Sequence, residues 1–113
     1  MNIEAEVIQY LSERFPAIPV YGEVPESRPK TMLIVDRTGG SVTNLVKTTS
    51  IVVDSYGESK AAASVLNDAV IDTMFQAVSE EGFSNVSLNS TYSDTDTASK
   101  EYRYGALFEI THE

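Results

Sequence analysis

Between Gly57 and Gly82 runs a stretch free of glycine and proline, and its large apolar residues recur at helical spacing. Leu66, Val70, Met74 and Ala77 form one stripe, which Ile71, Phe75 and Val78 widen. Asp68, Asp72, Gln76 and Ser79 form the opposite, wet face. A helix over Glu58–Glu81 is about 36 Å long at 1.5 Å per residue. Its stripe can be buried only against a layer of other elements. Gly57 breaks the preceding strand, and Gly82 is a good helix stop. Val65 falls among the polar positions, and a single exposed valine carries little meaning.

The other layer is legible in strand-like runs. Glu101–Thr111 is the clearest: Tyr102, Tyr104, Ala106, Phe108 and Ile110 alternate with Arg103, Gly105, Leu107, Glu109 and Thr111. In Thr31–Thr38 the consecutive Met32, Leu33, Ile34 and Val35 predict burial on both faces. Gly39-Gly40-Ser41 then reads as a turn or the root of a loop. Lys47–Tyr56 is the next strand, with Ile51 and Val53 facing one way and Val52 and Tyr56 the other. These two strands pair as a hairpin whose extended tip lies around Ser41–Leu45. Phe83–Tyr92 reads as a strand with Val86, Leu88 and Tyr92 on one side, and the polar Ser93–Lys100 as a loop.

At the start, residues 2–15 read as a helix. Asn2 caps it, Glu4 and Glu6 suit its positive end, and Ile3, Val7, Ile8, Tyr10, Leu11 and Phe15 make its apolar face. Pro16 stops it. All four prolines, Pro16, Pro19, Pro25 and Pro29, fall in residues 16–30, a stiff connection with a short strand at Val20–Glu23. The order α-β-β-β-α-β-β predicts an α+β fold: a mostly antiparallel β-sheet with two helices packed on one face. The 113 residues amount to one domain, since two cores in so short a chain would be too small.

Composition narrows the chemistry. Seventeen acidic residues against eight basic give a net charge of −9, a poor match to a phosphate backbone. No sequence-specific nucleic-acid binding is expected. There is no cysteine, so disulfides, thiolate catalysis and cysteine-ligated metals are excluded. His112 is the one histidine, which leaves no Ser-His-Asp machinery and no histidine metal cage to expect. Phosphate-binding glycine loops and a G-x-S-x-G elbow are missing. No apolar run is long enough to span a membrane, and the acidic start is unlike a signal peptide. Catalytic residues, cofactors and metals are therefore all expected to be none, and the location a bacterial or viral cytoplasm.

Among polar features, Asp68 and Asp72 share a helix face and read as solvated. Asp94 and Asp96 resemble the start of a calcium loop, but Ala98 and Ser99 stand where an aspartate and a glycine belong, so a polar loop is expected. Arg37 beside Gly39-Gly40 reads either as an edge ion pair or as an interface anchor, with the ion pair slightly favoured. Tyr102, Tyr104 and Phe108 read as core rather than as a binding platform.

One longer pattern carries a family resemblance. "V-P-x-x-R-P" at Val24–Pro29, the apolar strand Thr31–Asp36 and Arg37-Thr38-Gly39-Gly40 together resemble small tail-component proteins of long-tailed phages. The opening helix, Ser50–Gly57 before an Ala-rich helix, the polar Asp/Thr loop and the terminal Tyr102–Ile110 strand are similar in layout, so the resemblance spans nearly the whole chain. The loop Tyr92–Lys100 departs from it by lacking a proline. The resemblance implies a tail terminator: a homo-hexameric ring on the finished tail tube that ends polymerisation and offers the head-attachment surface. Implied partners are other copies of the chain, the tail tube protein and a head–tail connector protein. The implied place is the virion's head–tail junction, after assembly in the host cytoplasm. Whether the unassembled subunit is a monomer stays open.

A ring needs head-to-tail contacts between identical subunits. Candidate surfaces are the hairpin tip Gly39–Leu45, the loop Ser93–Lys100 and exposed sheet edges. Candidate interface residues are Arg37, Gly39, Gly40, Val42, Asn44, Asp94, Asp96 and Arg103. An acidic channel lining would also repel passing DNA. A connector or tail-completion protein at the same junction is the near alternative. An acidic DNA mimic requires carboxylates in rows on one face. An enzyme or sensor requires a deep pocket converging on Asp36, Arg37 and Asp54.

Overall fold

The computed structural model describes residues 2–80, 82–96 and 98–112. Its elements are α1 (Ile3–Arg14), β1 (Val20–Tyr21), β2 (Met32–Thr43), β3 (Val46–Gly57), α2 (Lys60–Glu80), β4 (Asn85–Ser93) and β5 (Tyr102–His112). The five strands form one sheet in the order β1-β2-β3-β5-β4. Among the described residues only the β1–β2 pair is parallel. This is the expected α+β architecture, in the expected element order.

Local chemistry accounts for the helix ends. The Asn2 side chain accepts a hydrogen bond from the Ala5 N–H (3.0 Å), and Glu4 and Glu6 sit in the first turn of α1. The Ser59 hydroxyl accepts from the Ala62 N–H (3.0 Å) and caps α2. Gly82 follows at φ +73°, a conformation suited to glycine after a helix. The expected helix end at Glu81 lies outside the described residues.

The main core lies between the sheet and both helices. Leu33, Val35, Ile51, Val53, Ala106, Phe108 and Ile110 meet Val7 and Leu11 of α1 and Leu66, Val70 and Met74 of α2. Tyr10 ties the helices together: its hydroxyl donates to the Thr73 carbonyl oxygen (2.7 Å), beside the Arg14–Glu80 ion pair (2.5 Å). Met32, Ile34 and Tyr56 form a second cluster on the other sheet face, with Tyr21 packed against it. Met32–Val35 is thus buried on both sides, as its unbroken apolar run predicts.

Five expectations need correction. Gly39 and Gly40 do not turn the chain; β2 continues through them, paired with Ser50 and Thr49, after a bulge between Arg37 and Gly39. The turn is the two-residue Asn44-Leu45, much shorter than an extended Ser41–Leu45 tip. Phe75 and Val78 do not widen the buried stripe of α2: they are 44% and 40% exposed because no layer covers that side. Tyr92 does not share a face with Val86 and Leu88. A bulge between Leu88 and Ser90 reverses the phase of β4, so Tyr92 lies opposite Gly105 on the face away from the helices. The Ser93–Lys100 segment is also partly ladder, since Asp96 and Glu101 exchange backbone hydrogen bonds.

Candidate functional site

The outer half of the β2–β3 hairpin stands apart from the rest. From Asp36 to Lys47 every residue is exposed, on both faces of the ribbon. Backbone pairing holds it: Gly39↔Ser50, Ser41↔Thr48, Val42↔Lys47 and Thr43↔Val46. The connecting Asn44 and Leu45 have φ of 51° and 68°, the left-handed pair that closes a two-residue hairpin. Asparagine tolerates that conformation; leucine is strained there by about 1 kcal/mol. The strained leucine is 91% exposed, with Val42 and Val46 exposed beside it. An apolar tip in a costly conformation, held out in water, contributes nothing to the core and is suited to contact with another molecule.

Arg37 lies at the root of this ribbon, where its backbone N–H donates to the Glu4 carboxylate (3.0 Å). Beneath the ribbon, toward Ile3 at the start of α1, lies a concavity of about 740 Å³ lined by Arg37, Gly40, Val42, Lys47 and His112 among others. The buried His112 imidazole Nε2 and the Thr49 hydroxyl are hydrogen-bonded at 2.8 Å in its floor.

At the far end of the strands, on the face away from the helices, sits a charged aromatic cluster. Arg103 Nη1 donates to the Tyr56 hydroxyl (2.9 Å), and Nη2 is ion-paired with Asp94. Arg28 also lies over the Tyr56 ring, 5.8 Å from its centre, and pairs with Glu101 (2.7 Å). The Tyr92 ring lies over Gly105 so closely that a Cβ there would sit 2.6 Å from it. Burial raises the Asp54 carboxyl above the usual aspartate range; Arg103 opposes the shift, while Asp94 and Asp36 add to it. Burial likewise pushes the Tyr92 hydroxyl up, helped by the charges of Asp54 and Asp94. Asp96 is held low by hydrogen bonds from Ser99 and from the Ala98 N–H. Next to this cluster, Arg28, Lys30, Tyr56, Lys100 and Tyr102 line a shallow cavity of about 390 Å³.

The candidate residues therefore separate into two groups. Arg37, Gly39, Gly40, Val42 and Asn44 lie on or at the root of the outer hairpin; Asp94, Asp96 and Arg103 lie at the opposite end of the sheet. Arg37 pairs with Ile51 and Val42 with Lys47, whereas Arg103 pairs with Tyr56, so about 17 to 30 Å of strand separates the groups. Asp36 and Arg37 are adjacent on a strand and point to opposite faces, so Arg37 does not share a sheet face with both Asp36 and Asp54. Two carboxylates of the far cluster, Asp94 and Glu101, are occupied by arginines rather than set out as a row of phosphate mimics.

Sequence reasoning missed one more surface. Ile18, Thr31, Gly57, Ala61, Ala62, Val65, Leu66 and Ala69 line an apolar groove of about 460 Å³ along the first half of α2. Its signal was present in Val65, 69% exposed, standing among small alanines. Among the described residues no helix is long and apolar enough to cross a membrane. No protein-family model and no curated protein matches the chain.

Proposed function

We propose that this chain is a ring-forming assembly protein that caps a phage tail tube, ends its polymerisation and offers the surface to which the head attaches. The resemblance of the Val24–Gly40 region and of the overall layout supplies the identity of the assembly. The observation that carries the reading is the outer hairpin: twelve consecutive exposed residues, 36–47, ending in an apolar tip. Such a ribbon is a natural element for head-to-tail contact, because it lies at one end of a molecule 46 Å long with other polar and apolar surface at the opposite end. In this reading the partners are neighbouring copies of the chain in a hexamer, the tail tube protein and the head–tail connector, and the chemistry is binding rather than catalysis.

The test is deletion of the gene in the phage or prophage that carries it, with electron microscopy of the induced lysate. The expected result is overlong, headless tail tubes beside filled heads. Tails of normal length that fail to join heads would replace the terminator with a connector or tail-completion protein. Normal infectious particles would overturn the structural reading.

A further inference from the structure

We propose that the hairpin tip of one copy seats in the α2 groove of the next copy, with Leu45 as the apolar anchor. The proposal deepens the ring reading and rests on it for the partner, a second copy of this chain.

Three observations converge on this pairing. First, the tip and the groove lie at opposite ends of β3. Val46 begins the strand and Gly57, which lines the groove, ends it, about 36 Å away along the chain. A copy cannot fill its own groove, so the contact is necessarily between copies, and tip-to-groove contact is head-to-tail.

Second, size and polarity match. The tip presents Val42, Leu45 and Val46. The groove is apolar, and Ala61, Ala62 and Ala69 leave room for a leucine-sized side chain between Ile18 and Val65. The tip residues and the exposed Ala61, Ala62 and Val65 of the groove are apolar area that the fold itself does not use.

Third, the charges are complementary. The outer hairpin, residues 36–47, contains Arg37 and Lys47 against the single carboxylate of Asp36. That is a net charge of +1, which leaves −10 on the remainder of a chain of −9, so the outer hairpin is a weakly cationic element of an acidic molecule. The groove is flanked by Glu58 at its start and by the exposed Asp68 and Asp72 of α2. Lys47, next to the apolar tip, would approach these carboxylates in the neighbour. Such charges steer the tip of one acidic subunit toward another that the net charge alone would repel.

The absence of cysteine makes a direct test simple. Two single-cysteine variants, Leu45→Cys and Val65→Cys, are prepared with tags of different mass. They are mixed at high protein concentration and treated with a short bismaleimide that bridges two thiols. The proposal predicts a mixed Leu45→Cys/Val65→Cys dimer, with little product from either variant alone. Product from Leu45→Cys alone would mean tip-to-tip pairing and overturn the proposal, as would no product from the mixture. Leu45→Asp should weaken self-association by roughly thirtyfold, the scale of losing an apolar anchor. Val65→Asp should weaken it to a similar degree, with both variants keeping wild-type thermal unfolding. Loss of association in Leu45→Asp but not in Val65→Asp would overturn the groove while leaving the hairpin as an assembly surface. Tip-to-groove cross-linking in a chain whose deletion leaves tails normal would sustain the docking and overturn the tail-capping reading.

Discussion

The two halves of the β2–β3 hairpin share the same strands and the same ladder, yet they differ sharply in burial. In the inner half, Met32–Val35 is buried on both sides and Ile51, Val53 and Tyr56 complete the packing. In the outer half, around and beyond the bulge at Arg37/Gly39, every described residue from Asp36 to Lys47 is exposed. Hydrogen bonding is therefore common to both, and burial alone separates them. Since one ladder bond contributes little net free energy, the inner half anchors the ribbon and the outer half is carried by it. In the proposed reading, this segment without a core of its own, tipped with valines and a strained leucine, is a contact surface.

The comparison can be broken most strongly from the inner side. Phe108→Ala, opposite Ile51 in the shared core, should lower stability by about 3–5 kcal/mol in urea unfolding. A loss below about 1 kcal/mol would mean the inner half is not the anchor. Gly57→Ala comes next. Its Cβ would lie 2.5 Å from the Ala63 backbone nitrogen where β3 turns into α2, and a backbone shift of that kind should cost about 1–3 kcal/mol. An unchanged urea midpoint would show that the junction can relax.

The outer half should respond in the opposite sense. Leu45→Gly relieves the left-handed strain at φ 68°, less the entropy a glycine adds to the unfolded chain. Stability should rise by at most about 0.5 kcal/mol while self-association, read by sedimentation, falls. A destabilised Leu45→Gly would show that the tip supports the fold. The smallest effect is expected at Asp54. Burial raises its carboxyl pKa above the unfolded value, so the protonated form favours the fold. That contribution is complete below the unfolded pKa and fades as pH rises through the folded one. Asp54→Asn should therefore be slightly more stable than wild type at neutral pH, with the difference vanishing in acid. Lower stability of Asp54→Asn at neutral pH would contradict this assignment.

How much of this was legible in the sequence depends on whether a signal was local. Alternation in Tyr102–Thr111 places Ala106, Phe108 and Ile110 in the core, although Tyr102 and Tyr104, read as core with Phe108, are only partly buried, and the unbroken Met32–Val35 run announces burial on two faces. Caps at Asn2 and Gly82 are chemical and were readable. The misread positions depend on partners far along the chain. Gly39-Gly40 has the composition of a turn, but the facing Thr49 and Ser50 keep it in the ladder. Leu45 has no turn propensity, so a leucine in a left-handed turn leaves no sequence mark. One extra residue between Leu88 and Ser90 moves Tyr92 to the other face, where Gly105 makes room for its ring. Phe75 and Val78 have the right spacing for burial but nothing packs over them. Of the candidate site, the hairpin residues were found through Arg37 and the glycines. The groove went unrecognised because Val65 acquires meaning only beside Ile18 and the alanines of α2.

The central claim is that the outer hairpin serves contact between copies and not the stability of the fold. It is tested most directly by sedimentation velocity on wild type and Leu45→Asp at matched high concentration, with the urea midpoint of each measured alongside. The account predicts assembly in the wild type, its loss in the variant, and midpoints that agree within about 0.5 kcal/mol in stability. Unchanged assembly in Leu45→Asp, or a clearly lowered midpoint, would contradict it.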